Sequence, residues 1–160
     1  MAAVTQTADD VAQLLQRYAD RGVFRSFSAV NARGGKRKFC FEYPPNRRIE
    51  LLVDPKNGSL ALPRLLPNAP PDSQIYRDLK SFVLSRQQPH IPEHRRIDPK
   101  RATAKCTNRK GSVAITVSAT NGDLEYACRC AVKLVSEIFL GFLNGPYAEY
   151  MFANFDQSEE

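Results

Sequence analysis

The chain has 160 residues, 42% hydrophobic and 25% charged, with 23 Lys and Arg against 17 Asp and Glu for a net charge of +6. That length suits one domain with its own core, and the composition excludes wholesale disorder, collagen-like repeats and a disulfide-dependent miniprotein. The charge surplus is local: residues 86–110 hold eight cations (Arg86, Arg95, Arg96, Lys100, Arg101, Lys105, Arg109 and Lys110) against Glu93 and Asp98, and the remainder is balanced.

The opening MAAVTQTADD lacks the basic leader and apolar stretch of a signal peptide, which predicts a cytoplasmic protein. A single domain over 1–160 is expected, with 1–6 and 156–160 as disordered ends. Thr7 and Asp10 resemble a capping box, and Val11, Leu14, Leu15 and Tyr18 recur at helical spacing before Gly22, which predicts a short amphipathic helix. From Phe24 the period shortens: Phe24–Asn31 is weakly extended, Phe39, Phe41 and Tyr43 alternate with Cys40 and Glu42, and Ile49, Leu51 and Val53 alternate next. Three antiparallel strands follow, with turns at Arg33–Lys36, where two glycines tolerate positive φ, and at Pro44–Asn46, where prolines remove donors.

Asp54-Pro-Lys-Asn-Gly58 is a further turn, from which Ser59–Leu62 can pair back before the proline-rich 63–71 region breaks regular structure. Pro70–Ser73 starts a second helix, with Ile75, Tyr76, Leu79, Phe82 and Val83 on one stripe. Residues 87–100, with Pro89, Pro92 and Pro99, are expected to be an extended, solvated basic connector. Ala102–Thr107 and Ser112–Ala119 flank Asn108–Gly111 as a hairpin, in which Val113, Ile115 and Val117 alternate with Ala114, Thr116 and Ser118. Asn121 or Asp123 caps a last long helix over 124–142, whose Leu124, Ala127, Cys128, Ala131, Leu134, Val135, Ile138 and Phe142 share a face. Its four charges, Glu125, Arg129, Lys133 and Glu137, exclude a membrane span, so no membrane partner is expected. Gly145-Pro146 ends the helix, and Tyr147, Tyr150, Met151 and Phe155 then have helical spacing, which predicts a tail that folds back as cover or serves a partner.

The fold class is therefore α+β: an antiparallel sheet of about five strands, helices mainly on one face, in the order α-β-β-β-α-β-β-α. This order, with the closing hairpin and helix over Ala102–Asn144, resembles type III secretion chaperones and the related YbjN-like bacterial proteins across Thr7–Phe155. The resemblance implies a compact sheet that binds a polypeptide rather than performing chemistry, often as a homodimer. The chain departs from it in its basic balance, with an isoelectric point near 9.3, and in the proline-rich connector.

No nucleophile with a base, paired carboxylates or phosphate-cradling glycine loop stands at a recognisable spacing, so no catalytic residue, metal or cofactor is expected. His90 and His94 flank Glu93 in the manner of a metal pair, but Pro92 breaks the helical spacing of such a pair. Cys128 and Cys130 would point apart on a helix, and with Cys40 and Cys106 they are expected to be small packing residues in a reducing compartment. Asp54 and Asp98 each precede proline and are expected to organise turns.

Two surfaces remain. Arg95, Arg96, Lys100, Arg101, Lys105, Arg109 and Lys110, extended by Lys36, Arg37, Lys38, Arg47 and Arg48 where turns bring these near, either only keep the sheet soluble and unaggregated or form a candidate site for anions or nucleic acid. Phe139, Leu143, Tyr147, Tyr150, Met151 and Phe155 form a candidate protein interface. The expected function is a non-enzymatic interaction module, chaperone-like or regulatory, that binds a polypeptide or itself; the alternative is nucleic-acid binding through 86–110.

Overall fold

The computed structural model describes residues 8–31, 35–43, 47–92, 96–120, 122–143, 147 and 149, leaving aside the side chains of Asn31, Tyr43 and Arg47. Helix α1, Ala8–Asp20, carries Asp9 and Asp10 in its first turn, where the macrodipole favours acids, and buries Val11, Leu14 and Leu15. It stops at Gly22 (φ +79°), whose N–H reaches the Ala19 carbonyl at 3.0 Å while that of Val23 reaches Tyr18 at 3.0 Å. These two bonds make a Schellman ending, in which glycine accepts the left-handed conformation without strain.

Strands β1 (Arg25–Asn31), β2 (Arg37–Tyr43), β3 (Arg47–Asp54) and β4 (Ser59–Leu66) form an antiparallel meander. Their inward residues are those of the period-2 pattern: Phe39, Phe41, Ile49, Leu51 and Val53 are each at most 3% exposed. Phe24 stacks on Phe41 with ring centroids 4.0 Å apart and Phe27 on Phe39 at 5.8 Å. The β3–β4 turn is organised by Asp54, whose carboxylate accepts from the Asn57 side chain at 2.7 Å and from its backbone N–H at 3.3 Å. The turns expected at 33–34 and 44–46 lie outside the described residues.

There is one strand more than the five expected, and it does not stop at Pro63. Strand β4 continues to Leu66 because its register against β6 (Ser112–Ala119) shifts between Leu62, opposite Ile115, and Leu66, opposite Val113. The extra residues form a bulge that accommodates a proline without an amide donor. Helix α2, Gln74–Ser85, follows, with the Ser73 hydroxyl accepting from the Tyr76 N–H at 3.4 Å. Strand β5, Ala102–Arg109, and β6 form the expected hairpin; Lys110 (φ +54°) and Gly111 (φ +92°) make its turn. The Asn108 side chain accepts from the Gly111 N–H at 2.9 Å and donates to the Ala69 carbonyl at 2.6 Å. The final sheet order is β1-β2-β3-β4-β6-β5, antiparallel throughout.

Helix α3, Leu124–Glu137, is capped by Asp123, which accepts from the Tyr126 N–H at 3.1 Å; Asn121 lies outside the described residues. A π-helical turn, Ile138–Phe142, replaces the last α-helical turn expected from the sequence. Its wide bond from the Leu143 N–H to the Ile138 carbonyl, 2.8 Å, inserts a residue and lets both Phe142 and Leu143 turn inward. The connector after α2 is exposed at Gln88, Pro89, His90, Pro92, Pro99 and Lys100, as expected, but it is also pinned: Ile97 is 3% exposed and its N–H donates to the Arg86 carbonyl at 2.8 Å. Asp98 turns the chain into β5 as expected, its side chain accepting from the Lys100 N–H at 3.0 Å.

All three helices pack on the side of the sheet that carries Phe39, Leu51, Leu60, Val117 and Ala104. No helix among the described residues is long and apolar enough to cross a membrane.

Candidate functional site: the open face of the sheet

Alternation that sends one set of side chains into the core sends its complement to the other face, where no described helix lies. Across it the strand register lines up Val30, Lys38, Leu52, Ala61, Thr116 and Lys105, one residue from each of the six strands. Five inter-strand steps of ~4.8 Å make this row about 24 Å long. Parallel to it run Asp54, Ser59, Ser118 and Thr103. Apart from Lys105 and Arg109, the β5–β6 half of this face is built of Ser, Thr and Ala.

Its charges are mixed but not balanced. Arg25, Lys38, Arg48, Arg64, Lys105 and Arg109 stand against Glu42, Glu50 and Asp54. Glu50 accepts from Arg64 at 3.0 Å and lies 3.9 Å from the Lys38 ammonium. The Arg64 hydrogen bond, helped by its charge, holds the Glu50 carboxyl below the usual carboxylate range against the opposing effect of burial. Arg25 pairs with Glu42 at 3.2 Å. Lys105 and Arg109 are exposed and have no ion-pair partner among the described residues. They stand about 13 Å apart on β5, from the ~3.3 Å rise per strand residue. Between the β4 bulge and the β5–β6 hairpin lies a depression lined by Ala61, Pro63, Arg64, Thr107, Arg109 and Ala114.

The structure divides the cations that are contiguous in sequence. Arg101 is committed to α3: its guanidinium lies 3.8 Å over the Tyr126 ring and donates to the capping Asp123 at 2.9 Å. Arg86 pairs with Glu137 at 2.8 Å and Arg96 donates to the Pro89 carbonyl at 3.0 Å, both on the helical side. Lys100 and Lys110 are exposed in turns, and Arg95 lies outside the described residues. Of the suggested extension, Lys38 and Arg48 reach the open face, whereas Arg37 donates to Asp9 of α1 at 2.6 Å. The cations missed in sequence are Arg25, which pairs with Glu42, and Arg64, which follows Pro63 at the bulge.

Of the six apolar interface candidates, three lie among the described residues, and these pack within the chain itself. Phe139 and Leu143 are 1% and 0% exposed, members of the protein's own core, because the π-helical turn rotates them under the helical layer. Tyr147 folds back: its ring lies 5.1 Å from Phe142 and its hydroxyl donates to Asp78 on α2. Burial and the Asp78 carboxylate together push the Tyr147 phenol up to about 12. Tyr150, Met151 and Phe155 lie outside the described residues, as do Glu93 and His94. In comparisons with known proteins, the chain matches no family model, no curated protein and no solved structure.

The cysteines are packing residues. Cys128, Cys130 and Cys40 are 0%, 4% and 9% exposed. Burial pushes the Cys128 thiol up to about 12 and that of Cys106 to about 11, values at which thiolate chemistry is suppressed.

Proposed function

We propose that the protein is an interaction module that works by binding, and that its open sheet face receives an extended, acidic polypeptide segment. The observation that carries this reading is the composition of that face: six cations against three carboxylates, with Lys105 and Arg109, which have no ion-pair partner among the described residues, beside the depression at Arg64. Complementary charge of this kind guides encounter and selects partners more than it adds affinity. The resemblance of the element order to secretion chaperones points to the same class of partner, and the basic face accounts for an acidic one. A nucleic acid would meet the same charges, but single-strand binders stack bases on aromatic rings, and the described open-face side chains include no aromatic residue.

The test is a fluorescence-anisotropy titration with a labelled peptide of alternating acidic and β-branched residues and, in parallel, labelled single-stranded DNA, at low and high salt. Peptide binding should weaken with salt and fall about 10- to 100-fold in the triple variant Arg64→Glu, Lys105→Glu, Arg109→Glu, taking ~0.5–1 kcal/mol for each exposed charge pair. DNA bound more tightly than the peptide would transfer the assignment to nucleic acid. Peptide affinity indifferent to the triple variant would remove the open face as the site.

A further inference from the structure

We infer that two copies of the chain pair edge to edge through β1, antiparallel about a two-fold axis near Ala29, so that two six-stranded sheets become one continuous sheet. The sheet has two end strands, β1 and β5. An end strand presents unpaired N–H and C=O groups, which proteins ordinarily guard with charges, prolines or bulges. Strand β5 has such guards: Lys105 and Arg109 are exposed along it, α2 packs beside it, and the Ala102 N–H is already bonded to the Asp98 carbonyl at 3.0 Å.

Among the described residues, strand β1 is guarded at its start, by a bulge and by α1 packed beside it. Ser26 (φ +57°) bulges the strand between Arg25 and Ser28. Beyond that bulge Ser28, Ala29 and Val30 run regularly against Cys40, Phe39 and Lys38, all three exposed, with no charge and no proline among them. Val30, on the open side, is 52% exposed, one of the few large apolar side chains so placed. Ala29 is on the opposite side, in register with the fully buried Phe39, yet it too is exposed. Helix α1 reaches β1 at its start, where Phe27 packs on the core, but Ser28, Ala29 and Val30 stand exposed beyond it among the described residues.

A second copy meets these requirements. An uncharged edge favours an uncharged strand, so the acidic segment assigned to the open face gains nothing here from the cations. Two-fold antiparallel pairing places Ser28 opposite Val30 and Ala29 opposite its own equivalent, with no like charges in contact and with Val30 covered. The bulge confines this pairing to a few residues, so the dimer is expected to be concentration-dependent rather than permanent.

The test is the mass by light scattering from about 10 μM to about 1 mM, with amide hydrogen exchange over the same series. The wild type should rise from 18.0 kDa towards twice that mass, and the Ser28–Val30 amides should exchange more slowly as concentration rises. The double variant Ser28→Lys, Val30→Lys, which sets ammonium groups against each other across the axis, should remain monomeric with an unchanged melt, since both side chains are exposed. A monomeric wild type throughout, a dimer that survives the lysines, or β1 amides indifferent to concentration would each overturn the inference; should the lysine variant fail to fold, the wild-type series decides alone. The dimer edge is the far edge from Lys105 and Arg109, so the triple glutamate variant should still dimerise, and the failure of either proposal leaves the other standing.

Discussion

Arg86 closes α2 and ties it to the end of α3, and replacing Glu137 by Gln isolates its charge. The guanidinium donates to Glu137 at 2.8 Å with the two side chains only 14% and 18% exposed, lies 4.8 Å from the Phe82 ring, and has its Nε buried without a hydrogen-bond partner. Removing one member of a fully buried pair costs ~3–5 kcal/mol, whereas an exposed pair is worth ~0–1 kcal/mol. With residual exposure under a fifth on each side, Glu137→Gln should cost about 2 kcal/mol, or about 4–8 °C of melting temperature at this chain length. Arg86→Met removes the unsatisfied Nε and keeps contact with Phe82 but takes this partner from the Glu137 carboxylate, so it should likewise cost about 2 kcal/mol. The double variant should cost no more than Glu137→Gln alone, which gives a coupling of about 2 kcal/mol or more in a urea-denaturation cycle. Strictly additive single effects, or a Glu137→Gln variant within about 0.5 kcal/mol of wild type, would refute the view that this pair fastens the two helices.

Two further outcomes follow from the titratable groups. The folded-state pKa of Glu50 is depressed, so its bond to Arg64 contributes stability above the ordinary carboxylate pKa and loses it as pH falls through the folded value. The stability gap between wild type and Glu50→Gln, measured by urea midpoints, should therefore be present at about pH 7 and close by about pH 2; a gap constant over that range contradicts the assignment. For the thiols, a pKa of about 12 at Cys128 leaves on the order of one thiolate in ten thousand at about pH 8. Titration with a disulfide reagent should find Cys128 inert in the native protein and all four cysteines reactive in denaturant; rapid native labelling of Cys128 would show that α3 is not packed as described.

Elements with a strict period were legible in the sequence. Phe39 and Phe41, Ile49 with Leu51 and Val53, and Val113 with Ile115 and Val117 alternate because one face of the sheet is buried and the other wet, and every one of them points inward. Three features were not legible, each because no local period encodes it. Pro63 signals a break, but a bulge absorbs it and β4 continues. The run from Ile138 to Leu143 continues a helical pattern, yet its burial on several sides is met by a π-helical turn. Ile97 is a lone apolar residue among prolines and cations, and only the bond to the Arg86 carbonyl and a place in the core show that the connector is fixed. At the candidate site, Lys105 and Arg109 were named from sequence, whereas Arg64 was hidden by the proline beside it.

The fate of the basic segment shows why a charge count along the chain does not define a surface. Between Arg86 and Lys110 the chain leaves α2, crosses to the N-terminal end of α3 and runs the length of β5, so consecutive cations face different neighbours. Where an acid or ring lies within reach the charge is absorbed: Arg86 by Glu137, Arg101 by Asp123 and Tyr126. On β5 the alternation places Lys105 and Arg109 on the face away from the helices, where the adjacent strand offers Thr116 and Ser112 rather than carboxylates. An unneutralised charge on a sheet face needs no partner for stability in water, since exposed ion pairs contribute so little. That same exposure makes it free to meet an external anion, whereas Arg101 would first have to give up Asp123. The charge surplus of the open face is therefore carried by residues without an ion-pair partner among the described residues, and under the proposed function Lys105 and Arg109 are the positions at which charge reversal should change binding without changing the fold.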